Sequence, residues 1–327
     1  MAHSNTVLSQ LLKLVPRHQF EALARAHHVG RRFRKTSRWS QFVALATGQL
    51  ARRRSLRDIV SNLNAQSASL YHLGSGAVTR STLARVNERQ PCEFYEALFG
   101  KLYGQCRSIA PRHGFRFKNK LYSLDASTIE LSLSIFPWAK FRERDGALKL
   151  HVGLDHDGGI PAFMSLTDGV DKAKGLRADQ AIRLTDQKSI QESLPELHRV
   201  SYVDPESGQR YVFLTNNFAL AASTIAAIYK QHWQIELFFK WIKQNLKITS
   251  FLGVSKNAVM TQVWVAMCVY LVLAYLKFLS RTTRSMQHIL WLLQLNLFIR
   301  RDIVALLRGD PPSPIPISPQ RNLALAR

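Results

Sequence analysis

The chain has 327 residues, 46% of them hydrophobic, which allows two domains or one large elaborated one. Forty-five Lys and Arg against 22 Asp and Glu leave +23, a field that draws polyanions, nucleic acid foremost. Cys92, Cys106 and Cys268 have no C-x-x-C spacing, which excludes a disulfide framework and a cysteine zinc site and suits a reducing cytoplasm.

The N-terminus, "MAHSNTVLSQLLKLVPRH", lacks the basic start, clean apolar run and small cleavage site of a secretory signal, so none is expected. Residues 1–110 read as a helical, DNA-binding domain. Trp39, Phe42, Val43, Ala46 and Leu50 follow helical spacing behind Ser37 as a cap. Ser55 and Asp58 give an S-x-x-D start to "LRDIVSNL". "TRSTLARVNE" (79–88) supplies another short helix, with Arg80 and Arg85 facing outward. Basic runs recur at "RRFRK" (31–35), "RRRSLR" (52–57), "RHGFRFKNK" (112–120) and "KFRER" (140–144), which favours a binding surface over a detached tail. Such helices suit a docking module of helix-turn-helix character; a plain helical bundle fits the pattern equally.

From Pro111 the texture changes. "LYSLDAS" (121–127) is a strand candidate, expected to be central, that carries Asp125. "ALKLHVGLD" (147–155) alternates strictly, with Leu148, Leu150, Val152 and Leu154 on one face, and "IPAFMSL" (160–166) returns after the turn "DHDGG". Asp155 and Asp157 fall in that turn; Asp168, Asp171, Asp179 and Asp186 fall on polar sequence; all are expected to be solvated loop residues. Residues 167–198 are polar, with only "AIRL" as a possible strand, after which "RVSYVD" and "RYVFLT" form a second hairpin around "PESGQ". "VWVAMCVYLVLAYL" (263–276) has 14 uncharged residues, too short to span a bilayer, and reads as a buried core helix; no membrane partner is expected. "QHILWLLQLNLFIRRDIVALL" is a last helical stretch, and the proline-rich segment 309–327 is expected to be disordered.

"IYKQHWQIELFFKWIKQ" (228–244) reads as a helix with two unlike faces. Tyr229, His232, Glu236, Lys240 and Lys243 share one side, beside an apolar stripe of Ile228, Ile235, Phe239, Ile242 and Leu246. The polar side is either a solvated face, with Glu236 and Lys240 as an i,i+4 pair, or a functional one. Asp125 likewise either caps the turn at Ser127 or Thr128 or ligates a metal, since a charge on a buried strand is costly without a partner. Phosphodiester chemistry on DNA uses two divalent ions about 4 Å apart, flanked by carboxylates, and Mg²⁺ prefers oxygen ligands. Asp125 and Glu236 are the best available pair.

These segments, "YSLDAST", "FPWAKFRERDGALKLHVGLDHDGGIPAF" and "IYKQHWQIELFFKWIKQNLKI", resemble bacterial insertion-sequence transposases of the DDE type. The closest likeness is to the group with a Tyr-x2-Arg-x3-Glu-x6-Lys signature on the helix of the catalytic Glu. The resemblance implies an α/β fold: an incomplete ribonuclease H-like core (111–169 and 218–308, the latter with C-terminal helices) carrying a β-rich insertion at 170–217. It implies Asp125 and Glu236 as catalytic metal ligands, with two Mg²⁺ ions for which Mn²⁺ can substitute. Tyr229 and Lys243 match the residues that hold transposon-end DNA, with Lys240 on the same face, and His232 stands where the signature has Arg. The implied partners are terminal inverted repeats and target DNA, in the bacterial nucleoid, with a homo-oligomer or a mixed oligomer with a full-length relative. The Asp-Arg-Gly-Tyr context of the second catalytic Asp is missing, which implies an internal deletion near Gly169 and an impaired enzyme. The alternative is a non-catalytic DNA-binding remnant that interferes with a full-length transposase; a basic RNA-binding protein is a third reading.

Overall fold

The computed structural model describes residues 6–311 apart from 32, 35, 116, 118, 140–145, 169–197, 204–209 and 216–218. Asp171, Asp179, Asp186, "AIRL" and nearly all of the 309–327 tail therefore lie outside the described residues. Two compact units form: Met1–Ile109 with Thr261–Arg327, and Ala110–Met260.

The first unit begins with helices α1 (Val7–Leu12), α2 (Arg17–Ala26), α3 (Arg38–Leu50), α4 (Leu56–Ala65), α5 (Ser67–Leu70), α6 (Arg80–Arg89) and α7 (Glu93–Arg107). Capping places the starts of α3 and α4 as the sequence implies, and Thr79 caps α6. The Ser40 N–H donates to Ser37 Oγ at 3.0 Å, the Asp58 N–H to Ser55 Oγ at 3.1 Å and the Thr82 N–H to Thr79 Oγ1 at 3.2 Å. Every residue of α3 is buried. Around it Phe20, Trp39, Phe94 and Tyr95 meet edge-on, with centroids 4.7 to 4.9 Å apart, the arrangement that ring quadrupoles favour. The buried Arg38 guanidinium lies over Phe94 and donates to the Pro91 carbonyl at 2.9 Å.

The second unit holds a three-stranded antiparallel sheet of β1 (Tyr122–Leu131), β2 (Gly146–Asp155) and β3 (Ile160–Asp168), in that order, and a separate hairpin of β4 (His198–Val203) and β5 (Arg210–Thr215). Asp125 pairs with Val152 and Ile129 with Leu148, so the odd-numbered residues of β1 share the face of Leu148, Leu150, Val152 and Leu154. Gly153 pairs with Phe163, and a Cβ there would stand 2.1 Å from the Phe163 ring, so only glycine fits under that ring. Two expectations are corrected. Among the described residues β1 pairs with β2 alone, which makes it an edge strand rather than a central one. Asp168 is the last residue of β3 rather than a loop residue, because its backbone continues the ladder opposite Leu148.

Helix α8 (Ala222–Asn245) buries Ile235, Phe238, Phe239 and Ile242. Helix α9 (Lys256–Ser280) is long and apolar enough to cross a membrane, yet 89% of its most apolar 18-residue stretch is buried, as a core helix requires. The last helical stretch divides into α10 (Met286–Asn296) and α11 (Ile303–Arg308). Arg300 bridges to Thr6 between them, and Asp302 restarts the helix by accepting the Ala305 N–H at 2.8 Å.

Candidate active site

Helix α8 runs alongside β1 in the same direction. Glu236 lies against Asp125, and Lys243 Nζ donates to the Thr128 carbonyl at 2.9 Å. Seven helical residues span ~10 Å and three strand residues span ~10 Å, so the two contacts keep step. The helix face of Tyr229, His232, Glu236, Lys240 and Lys243 is therefore fixed over β1 at two points, while its apolar stripe covers the sheet. Tyr229, His232 and Lys240 are exposed, and Lys243 is half-buried.

The two carboxyl groups are within hydrogen-bonding reach of each other. Burial, then the hydrogen bond and charge of Asp125, hold the Glu236 carboxyl above the usual carboxylate range; the nearby His232 and Lys243 pull it back. Asp125 also accepts the Ala126 N–H at 2.7 Å. Carboxylates that converge in this way repel until a proton or a cation stands between them. Their oxygen donors suit one Mg²⁺ or Mn²⁺ that keeps several of its waters. No group of three or more His, Cys, Asp or Glu side chains that could hold a metal ion is found among the described residues, so a two-ion site lacks a carboxylate there.

The turn between β2 and β3 corrects another expectation. Asp155 and Asp157 are buried, not solvated. Lys120 pairs with both, at 3.5 Å from Asp155 Oδ2 and closer to Asp157, and the His113 N–H donates to Asp157 Oδ1 at 2.8 Å. Burial raises the Asp157 carboxyl, but the hydrogen bonds from Lys120 and His113 and the Lys120 charge outweigh it, and the net shift is downward. Beside it His156 shares a 2.7 Å hydrogen bond with Ser123, and burial holds its imidazole below the ordinary histidine value against the pull of Asp155. These side chains hold the turn. Asp155 is three residues along β2 from the partner of Asp125, ~10 Å away, and its carboxylate is engaged by Lys120, so it is not the third ligand. Asp168 is farther still, four residues along β2 and one strand beyond.

Sequence reasoning paired Asp125 with Glu236, which the structure brings together, and did not single out Lys120, Ser123 or His156. The available signal was the alternation of β1, which puts Ser123 on the face of Asp125, and the two acids directly ahead of paired glycines in "DHDGG", where Gly158 and Gly159 take φ of 78° and 64°.

A transposase DDE domain model matches residues 168–272, which include Glu236 and α8 but leave Asp125 ahead of the match. Over those residues, about a third of its length, the chain is similar to DDE transposases. Residues 3–75 match a domain of unknown function, DUF4372. A putative transposase, y4zB, of Sinorhizobium fredii is 29% identical over 292 residues, covering 71% of this chain and 81% of the relative. The probable transposase for insertion sequence element IS5377 of Geobacillus stearothermophilus is 26% identical over 252 residues, covering 60% and 67%. The putative transposase for element IS4SA of Synechocystis is 40% identical over 52 residues, 16% of this chain and 15% of the relative. Among the described residues, the Asp125–Glu236 pair is the part of the structure whose oxygen donors suit a divalent metal.

Proposed function

We propose that the chain binds transposon ends through its basic surface and that Asp125 and Glu236 hold a divalent metal for DNA cleavage and strand transfer. The observation that carries this reading is the abutting carboxylate pair, fixed across β1 and α8 by Lys243. Bound there, Mg²⁺ would supply an activated water and charge stabilisation. The chain's own groups orient the DNA: Tyr229, His232, Lys240 and Lys243 line the helix face beside the pair. His232 is a weaker phosphate holder than an arginine at neutral pH, because it lacks both the fixed charge and the two-pronged donor geometry.

A second reading, of an internally deleted and impaired copy, rests on its own observations. The match to the Sinorhizobium protein spans 292 aligned positions but takes 71% of 327 residues, about 232, so about 60 positions of the relative face a gap. The Geobacillus match spans 252 positions against 60% of the chain, about 196, a gap of about 56. A segment of that size, if contiguous, is enough for a helix and a strand. Consistent with its loss, β1 is an edge strand among the described residues, and the face of the sheet away from α8 exposes Leu124 (63%), Phe163 (48%) and Tyr122 (43%). Such a product keeps end binding and interferes with a full-length relative, by occupying ends or forming mixed oligomers in the bacterial nucleoid.

Purified protein is incubated with duplexes bearing the element's own terminal sequence and Mg²⁺ or Mn²⁺. Binding with nicking is expected on the first reading, and binding with little or no nicking on the second. Efficient 3′-end nicking that disappears in Asp125→Ala and Glu236→Ala would remove the impaired-copy reading. Cleavage indifferent to both changes would remove the site assignment.

A further inference from the structure

The N-terminal domain of unknown function contains a surface whose chemistry is specific. Helix α3 is buried along its whole length and ends in the five-residue turn 51–55, from which α4 emerges. Arg52 takes the left-handed conformation, φ 52°, and the Arg53 N–H returns to the Gly48 carbonyl at 2.9 Å, which reverses the chain tightly. Gly48 lets α4 lie close on α3: a Cβ there would stand 2.6 Å from the buried Ile59 Cδ1. Helix α4 buries Leu56, Ile59 and Leu63, and so turns Arg57, Ser61 and Asn64 outward as one exposed face.

The acid in this segment is occupied. Asp58 accepts the Arg54 N–H at 3.1 Å and pairs with the Arg53 guanidinium at 3.4 Å, so it pins the turn instead of opposing an anion. Arg54 and Arg57 remain exposed at the mouth of the turn and on the first turn of the helix. A buried helix, a tight turn and a second helix with arginines at its start and small amide and hydroxyl groups along its outer face match the requirements of duplex-DNA reading. Arginines fix the helix on phosphates, while Asn and Ser reach base edges. A helix ~10 Å across enters a major groove ~12 Å wide but not the deep, narrow groove of duplex RNA.

We propose that the turn and helix 51–65 are the duplex-DNA reader of this chain, with Arg54 and Arg57 on phosphates and Ser61 and Asn64 facing base edges. The proposal deepens the reading that the chain handles transposon ends and assigns the recognition to one helix of the domain of unknown function. It is tested by binding in EDTA, so its outcome is independent of whether Asp125 and Glu236 cleave.

The full chain is used to select from duplexes with a random core, and the winning duplex is titrated at two salt concentrations. Arg54→Ala and Arg57→Ala are each expected to weaken the winning and unrelated duplexes alike, about tenfold, and to lower the salt slope by about 1. The double variant Ser61→Ala, Asn64→Ala is expected to select a relaxed or altered sequence at an unchanged unfolding temperature, since both positions are exposed. Selection of the same sequence with the same affinity by that double variant overturns the assignment. So does failure of the wild-type chain to enrich any duplex, or equal displacement by a same-length RNA hairpin.

Discussion

The two units solve the burial problem differently. In the first, α3 is enclosed on every side and the aromatic rings of Phe20, Trp39, Phe94 and Tyr95 interlock, so the core is closed. In the second, α8 covers one face of a three-stranded sheet, while the other face leaves Leu124 and Phe163 exposed and β1 ends the sheet among the described residues. A closed helical core tolerates little, whereas a one-sided sheet depends on polar fastenings such as Lys120 with Asp155 and Asp157. The candidate site lies on the covered face of the sheet.

The sharpest way to break this comparison is inside the closed core. Phe42→Ala should destabilise the first unit by about 4 kcal/mol, by removal of a fully buried ring from a packed site. Hydrogen exchange measured peptide by peptide should show α3 opening first; a loss below about 1 kcal/mol would mean that the core is looser than its packing indicates.

The next effect tests the fastenings. Lys120→Ala leaves the buried Asp155 and Asp157 without their cation and should cost about 3 kcal/mol, read in the exchange of β2 and β3 amides. Unchanged protection there would show that the turn is held by its backbone alone.

How much of this was legible is clearest in individual residues. Ser37 and Ser55 announced helices because a cap is a local signal, satisfied by a hydrogen bond three residues away. Asp125 and Glu236 were legible as a pair, although they are 111 positions apart in the sequence, because one is a charge on a predicted strand, the other sits on the polar face of a predicted helix, and the segments around both resemble one family. The Asp155 and Asp157 turn was misread for the opposite reason. Acids beside glycines usually meet water, and the cation that buries them, Lys120, comes from the segment ahead of β1 with no local mark. The edge position of β1 was not legible either, since strand order depends on which partners the rest of the chain supplies.

Acidification should act on the same fastenings in two stages. A histidine whose folded value is depressed leaves the unfolded chain binding more protons, so His156 costs stability as pH falls below about 6.5. A carboxylate whose folded value is depressed contributes stability above its unfolded value, near 3.8, and loses it as pH falls through the folded one, which is the Asp157 stage. Exchange of β2 amides should accelerate in that order, and His156→Gln should remove the first stage. A single stage in the wild type, untouched by that change, would contradict the assignment.

The smallest effect concerns the open face. Leu124→Ser should change stability by less than about 0.5 kcal/mol and raise solubility, since Leu124 stands mostly in water. A loss near 2 kcal/mol would mean that this face is covered after all.

The central claim is that Asp125 and Glu236 together hold a divalent metal, and the most direct measurement is Mn²⁺ binding followed by electron paramagnetic resonance on the full chain without DNA. The account predicts a bound-ion signal in the wild type that is lost in Asp125→Ala and in Glu236→Ala, with unfolding temperatures retained. Equal Mn²⁺ binding in all three proteins would contradict it.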